Sequence, residues 1–282
     1  MMRKWLTSGL LRTILLALLT VAFIPLGMIA YAGSTSFERS KADVVAQSSK
    51  EFDRQAFENL RSRAILISQD VARFLRERES DLVAAASLPQ DEQAFVNFAR
   101  SKSGQVWTIS PEGIEERLAV PLYREIAWID LDGKEIIKVS NACENYPFTC
   151  AVETDARLVD VSQPANTLFQ NETYFEEARL LNKGEIYVSG VTGAHIPQDR
   201  AYAGAQNRLG ERYRGIIRFA TPVYENGKKV GTVVLAVESI HLIELVAHIS
   251  PANPEPIAEI DPREADFTYM VNPEGWTISH PR

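Results

Sequence analysis

His241, Glu244 and His248 stand at i, i+3 and i+7 of the segment SIHLIELVAHIS, so on a helix they share one face. Two imidazoles and a carboxylate are a candidate metal-ligand set. Histidine ligands on one helix usually sit four apart, however, and no further ligand is evident, so a solvated helix face is the stronger reading and no metal is expected. Cys143 and Cys150 bracket the stretch CENYPFTC. The spacing is no zinc spacing, and no histidine lies near it. Two thiols this close, with Pro147 between them, can close a small disulfide ring in an oxidising compartment; the alternative is two free thiols. G-x-S-x-G, P-loop, H-E-x-x-H and G-x-G-x-x-G signatures are all absent. With four histidines and two cysteines, nucleophile–base pairs are scarce, so the chain does not read as an enzyme and no cofactor is expected.

The side chains that could recognise a small molecule are aromatic walls and a few placed polar groups. Trp128, Tyr174, Tyr187, Arg218 and Thr221 form the candidate set. Arg218 alternates with apolar residues in GIIRFATPVY, so its guanidinium could meet a carboxylate. The competing reading is that Arg218 faces solvent, as alternating polar residues on an open sheet usually do. Aromatic residues in such positions are more often simply core.

These candidates need a scaffold, and the sequence outlines one. Thr13 to Ala32 carries no charge over 20 residues, the length of a helix that crosses a bilayer. Arg3, Lys4 and Arg12 precede it, which puts residues 1–12 in the cytoplasm by the positive-inside rule. A cleaved signal peptide is the alternative, because Ala30-Tyr31-Ala32 is a small-x-small site; the apolar run is longer than a usual signal core, which favours an uncleaved anchor. Residues 34–88 lack glycine and proline, and their apolar set Phe37, Val44, Val45, Phe52, Leu60, Ile67, Val71, Phe74, Leu75 and Leu82 recurs at helical spacing. Unbroken, this is a rod of roughly 80 Å. The stripe near its start predicts a partner helix, here a second copy of the chain.

From Pro89 to about Gly113 the sequence reads as a short helix (DEQAFVNFARSK) and a loop. REIAWIDLDGKEIIKVSN is a hairpin turning at Asp132-Gly133, and Cys143 to Thr167 reads as loop. TYFEEARLL is a short helix stopped by Gly184, and GEIYVSGV is a strand. The polar stretch Thr192 to Arg214 reads as a loop. GIIRFATPVYENGKKVGTVVLAVES is a hairpin around Asn226-Gly227, followed by the helix SIHLIELVAHIS. PANPEP begins a linker, residues 251–265, and DFTYMVNPEGWTISHPR starts a further hairpin. The expected fold is α+β: a membrane helix, a stalk helix and one five-stranded antiparallel sheet with flanking helices. Net charge is −7 although the first twelve residues hold three cations and no acid, so the body is acidic; nucleic acid is excluded as a partner.

This ordered set resembles the Cache superfamily, the PAS-like extracytoplasmic sensor domains of bacterial transmembrane receptors. The resemblance is carried by IAWIDLDGKEI, by TYFEEARLLNKGEIYVSGV and by GIIRFATPVYENGKKVGTVVLAVE. It implies a membrane-distal sensor module at residues 89–250 that binds a small organic ligand on one face of its sheet. It also implies a start of a second module at 266–282, cut short at Arg282, as in a fragment or a truncated reading frame. In that reading the chain is a single-pass protein of the bacterial inner membrane with residues 33–282 periplasmic or extracellular, signalling to a histidine kinase, diguanylate cyclase, phosphatase or chemoreceptor output. The alternative is a secreted or periplasmic binding protein released after Ala32. The amino-acid-binding branch of the family places an Arg, then a Trp-Tyr pair, at positions that fall here on Glu172, Tyr174 and Phe175. Its two aspartates fall on Ser189 and Ala236. Phe175 and Ser189 therefore join the candidate set by position, but the cation for an α-carboxylate and the acids for an α-ammonium are missing, and an amino-acid ligand is not expected.

Overall fold

A computed structural model describes residues 9–109, 115–145, 148–197, 213–247, 270–271 and 277–279. Residues 1–8, Pro147, the middle of the polar stretch after Thr192, His248 and the expected linker at 251–265 lie outside the described residues. The chain divides into two compact units, Met1–Ser62 and Arg63–Arg282.

Helix α1 is one uninterrupted element, Gly9–Ala86, with Pro25 inside it. It is long and apolar enough, by composition, to cross a membrane near its N-terminus. In the first unit its large apolar residues are exposed, Phe37, Val44, Val45 and Phe52 among them. In the second unit the same helix becomes amphipathic and packs. Ile67, Val71, Phe74, Leu75, Leu82 and Ala85 repeat at three- and four-residue steps, which gathers them on one stripe. Helix α2, Glu92–Arg100, is capped by Asp91, whose carboxylate accepts the Ala94 amide, and it adds Phe95, Val96 and Ala99 to the same core.

The main sheet is antiparallel and has seven strands rather than the expected five. Its strands are β3 Tyr123–Ile129, β4 Glu135–Asn145, β5 Phe148–Thr154, β6 Tyr187–Val188, β7 Thr192–His195, β8 Tyr213–Glu225 and β9 Lys228–Glu238. They lie in the order β5-β4-β3-β9-β8-β6, with β7 also paired to β8. Two differences account for the count. The expected third strand is reduced to the two-residue β6, and the polar stretch after it, expected as loop, begins with β7. The segment after Cys143, expected as loop, continues β4 and returns as β5, because Cys143 and Cys150 pair directly across the two strands and are joined by a disulfide. The loop expected before Gly113 also contains a strand: β1 Ser103–Ile109 pairs with β2 Glu115–Pro121 in a separate two-stranded sheet.

The long hairpin β8–β9 is the centre of the sheet. Its turn, Asn226-Gly227, has positive φ at both residues, 50° and 76°, as a two-residue type I′ turn requires. Alternation then sends Ile217, Phe219, Val233, Leu235 and Val237 to the face covered by α1 and α2. Arg218, Ala220 and Val234 go to the other face, which is covered by α3, Tyr174–Arg179, through Tyr174, Phe175 and Ala178. Helix α4, Ile240–Ala247, follows β9, and Ile240 packs on Val106 and Val120 of the small sheet beside the cystine. Two short strands, β10 Met270–Val271 and β11 Thr277–Ser279, form the hairpin expected near the end of the chain.

Candidate functional site

The face under α3 carries a buried ionic cluster built around Arg218. Arg218 sits in β8, opposite Ala236 of β9, which in turn is opposite Glu125 of β3. Neighbouring strands are about 4.8 Å apart, so Arg218 and Glu125 stand two strands, roughly 10 Å, from each other. Ala236 between them is fully buried and ends at its methyl group. The two long side chains therefore meet above it, Arg218 Nη2 lying 2.7 Å from Glu125 Oε2. A second carboxylate arrives from off the sheet. Glu172, two residues before α3, accepts from Arg218 Nε at 3.1 Å and Nη2 at 2.9 Å, a forked pair. The Tyr174 ring covers the guanidinium at 4.7 Å.

The cluster extends along β3 and β4. Lys138 lies 3.2 Å from Glu125 and 3.3 Å from Glu135, and Glu135 also accepts the Val159 amide at 3.0 Å. Burial works against every charge here, and neighbours decide the outcome. Burial pulls the Arg218 pKa down, but Tyr174, Glu125 and Glu172 outweigh it and hold the guanidinium above its ordinary value. Burial pushes Glu125 up, and Arg218 with Lys138 reverses this, leaving its carboxyl below the ordinary value. For Glu135 burial prevails and the pKa is raised. Burial also raises the Tyr174 phenol.

The candidate residues from the sequence fall into two groups. Tyr174, Phe175 and Tyr187 share the apolar cluster under α3 with Ala127, Ala220 and Val234. Ser189 stands beside Arg218: its hydroxyl accepts the Arg218 amide at 2.9 Å and donates to the Gly190 carbonyl at 2.7 Å. Trp128 is on the opposite face, in the core under α1 and α2, where its ring lies over Gly231; a side chain at Gly231 would meet the ring 2.6 Å away. Thr221 alternates to that same side, and its hydroxyl donates to the Glu185 carbonyl at 2.8 Å. Arg218 does not face solvent, the alternative reading of its alternation. It is 3% exposed, and internal carboxylates hold it. The reason is in the neighbours: Glu125 and Glu172 are 93 and 46 residues away by number, and the strand register brings up the first while the segment before α3 brings up the second.

Of the helical His–Glu–His set, His241 and Glu244 are described and His248 lies outside the described residues. His241 is buried, and its Nε2–H donates to the Pro121 carbonyl at 3.0 Å. Burial brings its pKa down to about 4, so the ring is neutral at physiological pH. A second polar knot, missed in the sequence, ties α1 to β3. Asp81 accepts from Tyr123 Oη at 2.6 Å and Lys102 Nζ at 2.7 Å, with Arg78 Nε at 3.2 Å. A cleft of about 450 Å³ lies elsewhere, between the start of α2 and β5, lined by Asp91, Glu92, Arg100 and Glu153 among others.

Solved structures similar to this chain include sensory and ligand-binding domains of chemoreceptors, the extracellular domain of a histidine kinase and a domain of a GGDEF-family protein. They include the sensory domain of the Campylobacter jejuni chemoreceptor Tlp3, at 15% identity and a TM-score of 0.40, covering 69% of this chain and 65% of that one. A domain assigned to the sensory box/GGDEF family of Vibrio parahaemolyticus is similar at 17% identity and a TM-score of 0.43, covering 69% and 63%. The ligand-binding domain of the Pseudomonas aeruginosa amino-acid chemoreceptor PctC, solved with GABA, is similar at 12% identity and 0.33, covering 64% and 60%. The chain spans less than two thirds of the length of each of these. No family model and no curated protein matches the chain.

Proposed function

We propose that this chain is the ligand-sensing part of a bacterial transmembrane receptor of the Cache type, a binding module and not an enzyme. The observation that carries this is the order of the central strands. Without the cystine strand β5, the sheet reads β4-β3-β9-β8 and then β6 with β7, so the last hairpin lies between the first hairpin and the middle strand. This order supports a PAS-like reading, as does the covering of one face by a long N-terminal helix and of the other by the short α3. An apolar helix before the sheet supports membrane anchoring through residues 13–32. Residues 33–282 then lie outside the cytoplasm, where a disulfide persists.

In this reading residues 34–88 are the stalk, 89–250 the sensor module and 266–282 the start of a second module. The exposed stripe Phe37, Val44, Val45 and Phe52 pairs with a second copy, and the output domain is a histidine kinase, diguanylate cyclase, phosphatase or chemoreceptor signalling region. The ligand is a small organic molecule held on the α3 face. A thermal-shift screen of carboxylates, amines and nucleobases tests it. A ligand at 100 times its Kd adds about 2.7 kcal/mol, which for a unit of this size is a shift of roughly 5–10 °C. A folded protein that responds to no class of compound would refute the sensing role. Release as a soluble binding protein is the second reading, favoured by Ala30-Tyr31-Ala32, and N-terminal sequencing of the mature protein separates the two.

A further inference from the structure

Helix α4 is seated through one histidine. The helix lies against β1 of the small sheet and against β11 of the terminal hairpin. Ile240 enters the apolar cluster of Val106 and Val120 beside the cystine. His241, next to it, is the polar anchor and is buried. Its Nε2–H donates to the carbonyl of Pro121 at the end of β2, so the neutral ring carries its proton there and Nδ1 is bare. Nδ1 faces Gly104 of β1, where a Cβ would stand 2.7 Å from it; the ring fills the notch that the glycine leaves. A second proton can enter only on Nδ1, against that backbone, and burying the resulting cation is costly. Two charged groups act on the ring: Glu244 of α4 itself favours the cation, and Arg78 of α1 opposes it. Among the titratable groups of the surrounding elements, Lys102 and Tyr123 are held by Asp81, and Glu238 at the end of β9 lies 3.8 Å from Arg124. The seat therefore accepts the neutral ring, and the ring's proton affinity rises when α4 leaves it.

We propose that His241 is a proton-operated latch: uptake of one proton on Nδ1 releases α4 from the small sheet, and with it the hold of α4 on the terminal hairpin. The latch goes beyond the ligand-sensing reading and is independent of the α3 face. No covalent bond breaks apart from proton transfer: solvent supplies the proton, Nε2 keeps its own, and the imidazolium is hydrated once α4 lifts. The two states differ in proton affinity, which is the differential binding that a switch requires. The seated ring titrates near about 4 and a free one near about 6.5. The seat is at full strength above pH 6.5 and weakens as pH falls from there towards 4. Between pH 7.5 and 5 the seating equilibrium falls by roughly 30-fold. Acidification outside the cytoplasm then loosens the element that joins the sheet to the residues after it.

The test is amide hydrogen exchange of the full 282-residue chain in lipid nanodiscs at pH 7.5 and pH 5, corrected for the intrinsic exchange rate. Protection of residues 240–247 should fall by roughly 30-fold at pH 5, and that of β8 and β9 by less than about threefold. His241→Gln keeps an amide donor for the Pro121 carbonyl and does not titrate, so its protection at 240–247 should be the same at both pH values. Gly104→Ala crowds Nδ1 and should lower protection of 240–247 already at pH 7.5. Unchanged protection of 240–247 in the unaltered chain at pH 5, an equal loss in β8 and β9, or a response that survives in His241→Gln overturns the proposal. Should His241→Gln not fold, Glu244→Gln decides. It removes the carboxylate that favours the cation and leaves His241, so the acid response should persist; its loss assigns the proton to Glu244 and overturns the latch.

Discussion

Replacing Arg218 by Met should cost more than replacing Glu172, the carboxylate that accepts its forked pair of hydrogen bonds. Met fills much of the volume of the arginine stem but leaves Glu172 without its cation and Glu125 with Lys138 alone, both in a face that excludes water. Breaking a buried ion pair by removing one partner costs about 3–5 kcal/mol. At about 2–4 °C per kcal/mol, the melting temperature of the second unit should fall by roughly 6–20 °C. Glu172→Gln removes a charge from a set that has one too many, so its cost is limited to weakened hydrogen bonds to a charged donor, about 1.5–3 kcal/mol. The sign test is the double variant. With Glu172 already neutral, Arg218→Met strands fewer charges, so Arg218→Met/Glu172→Gln should be more stable than Arg218→Met alone, by urea unfolding monitored at the tryptophans. A double variant no better than the single, or a cost below about 1 kcal/mol for Arg218→Met, would refute the account of this cluster.

The same cluster fixes a direction with pH. The folded Glu125 carboxyl titrates below its ordinary value, so its stabilising contribution is present above the unfolded pKa of about 4.3 and is lost as pH falls through the folded value; unfolding free energies between pH 3 and 5 should show a steeper acid loss in the unaltered chain than in Arg218→Met. Replacing Cys143 and Cys150 by Ser opens the ring that they close seven residues apart and should cost about 2.5 kcal/mol by the loop-entropy estimate, while thiol labelling of the non-reduced protein should find no free thiol. Gly231→Ala drives a methyl group against the Trp128 ring and the Ile129 carbonyl, and should cost about 1–3 kcal/mol with a change in tryptophan fluorescence. Val44→Asp with Phe52→Asp should turn a dimer into a monomer in sedimentation; a chain that is monomeric at tens of micromolar, or a dimer indifferent to both charges, counts against the stalk interface.

Local signals were enough for much of the scaffold. The uncharged run from Thr13, the glycine-free stretch after Ser34, Asn226-Gly227 and Asp132-Gly133 each act within a few residues, through chain length, propensity or positive φ, and the helix and two hairpins they announce are all present. The disulfide expected from the close spacing of Cys143 and Cys150 outside the cytoplasm is present as well. Strand β5 was not legible, because what makes Phe148–Thr154 a strand is its register against β4 and not its own alternation.

The site shows the same division more sharply. That Arg218 alternates with apolar residues is visible in GIIRFATPVY, but alternation says only that it shares a face with Ala220. Which face, and what waits there, depends on β9 lying between β8 and β3, on Ala236 being small enough for two side chains to meet over it, and on a loop that delivers Glu172. Trp128 and Tyr174 looked equivalent as aromatic walls, yet the pleat of β3 sends Trp128 under α1, while α3 lays Tyr174 over the guanidinium. Residue types set the available charges; the fold sets the distances between them, and Coulomb energy in a dry interior depends on those distances.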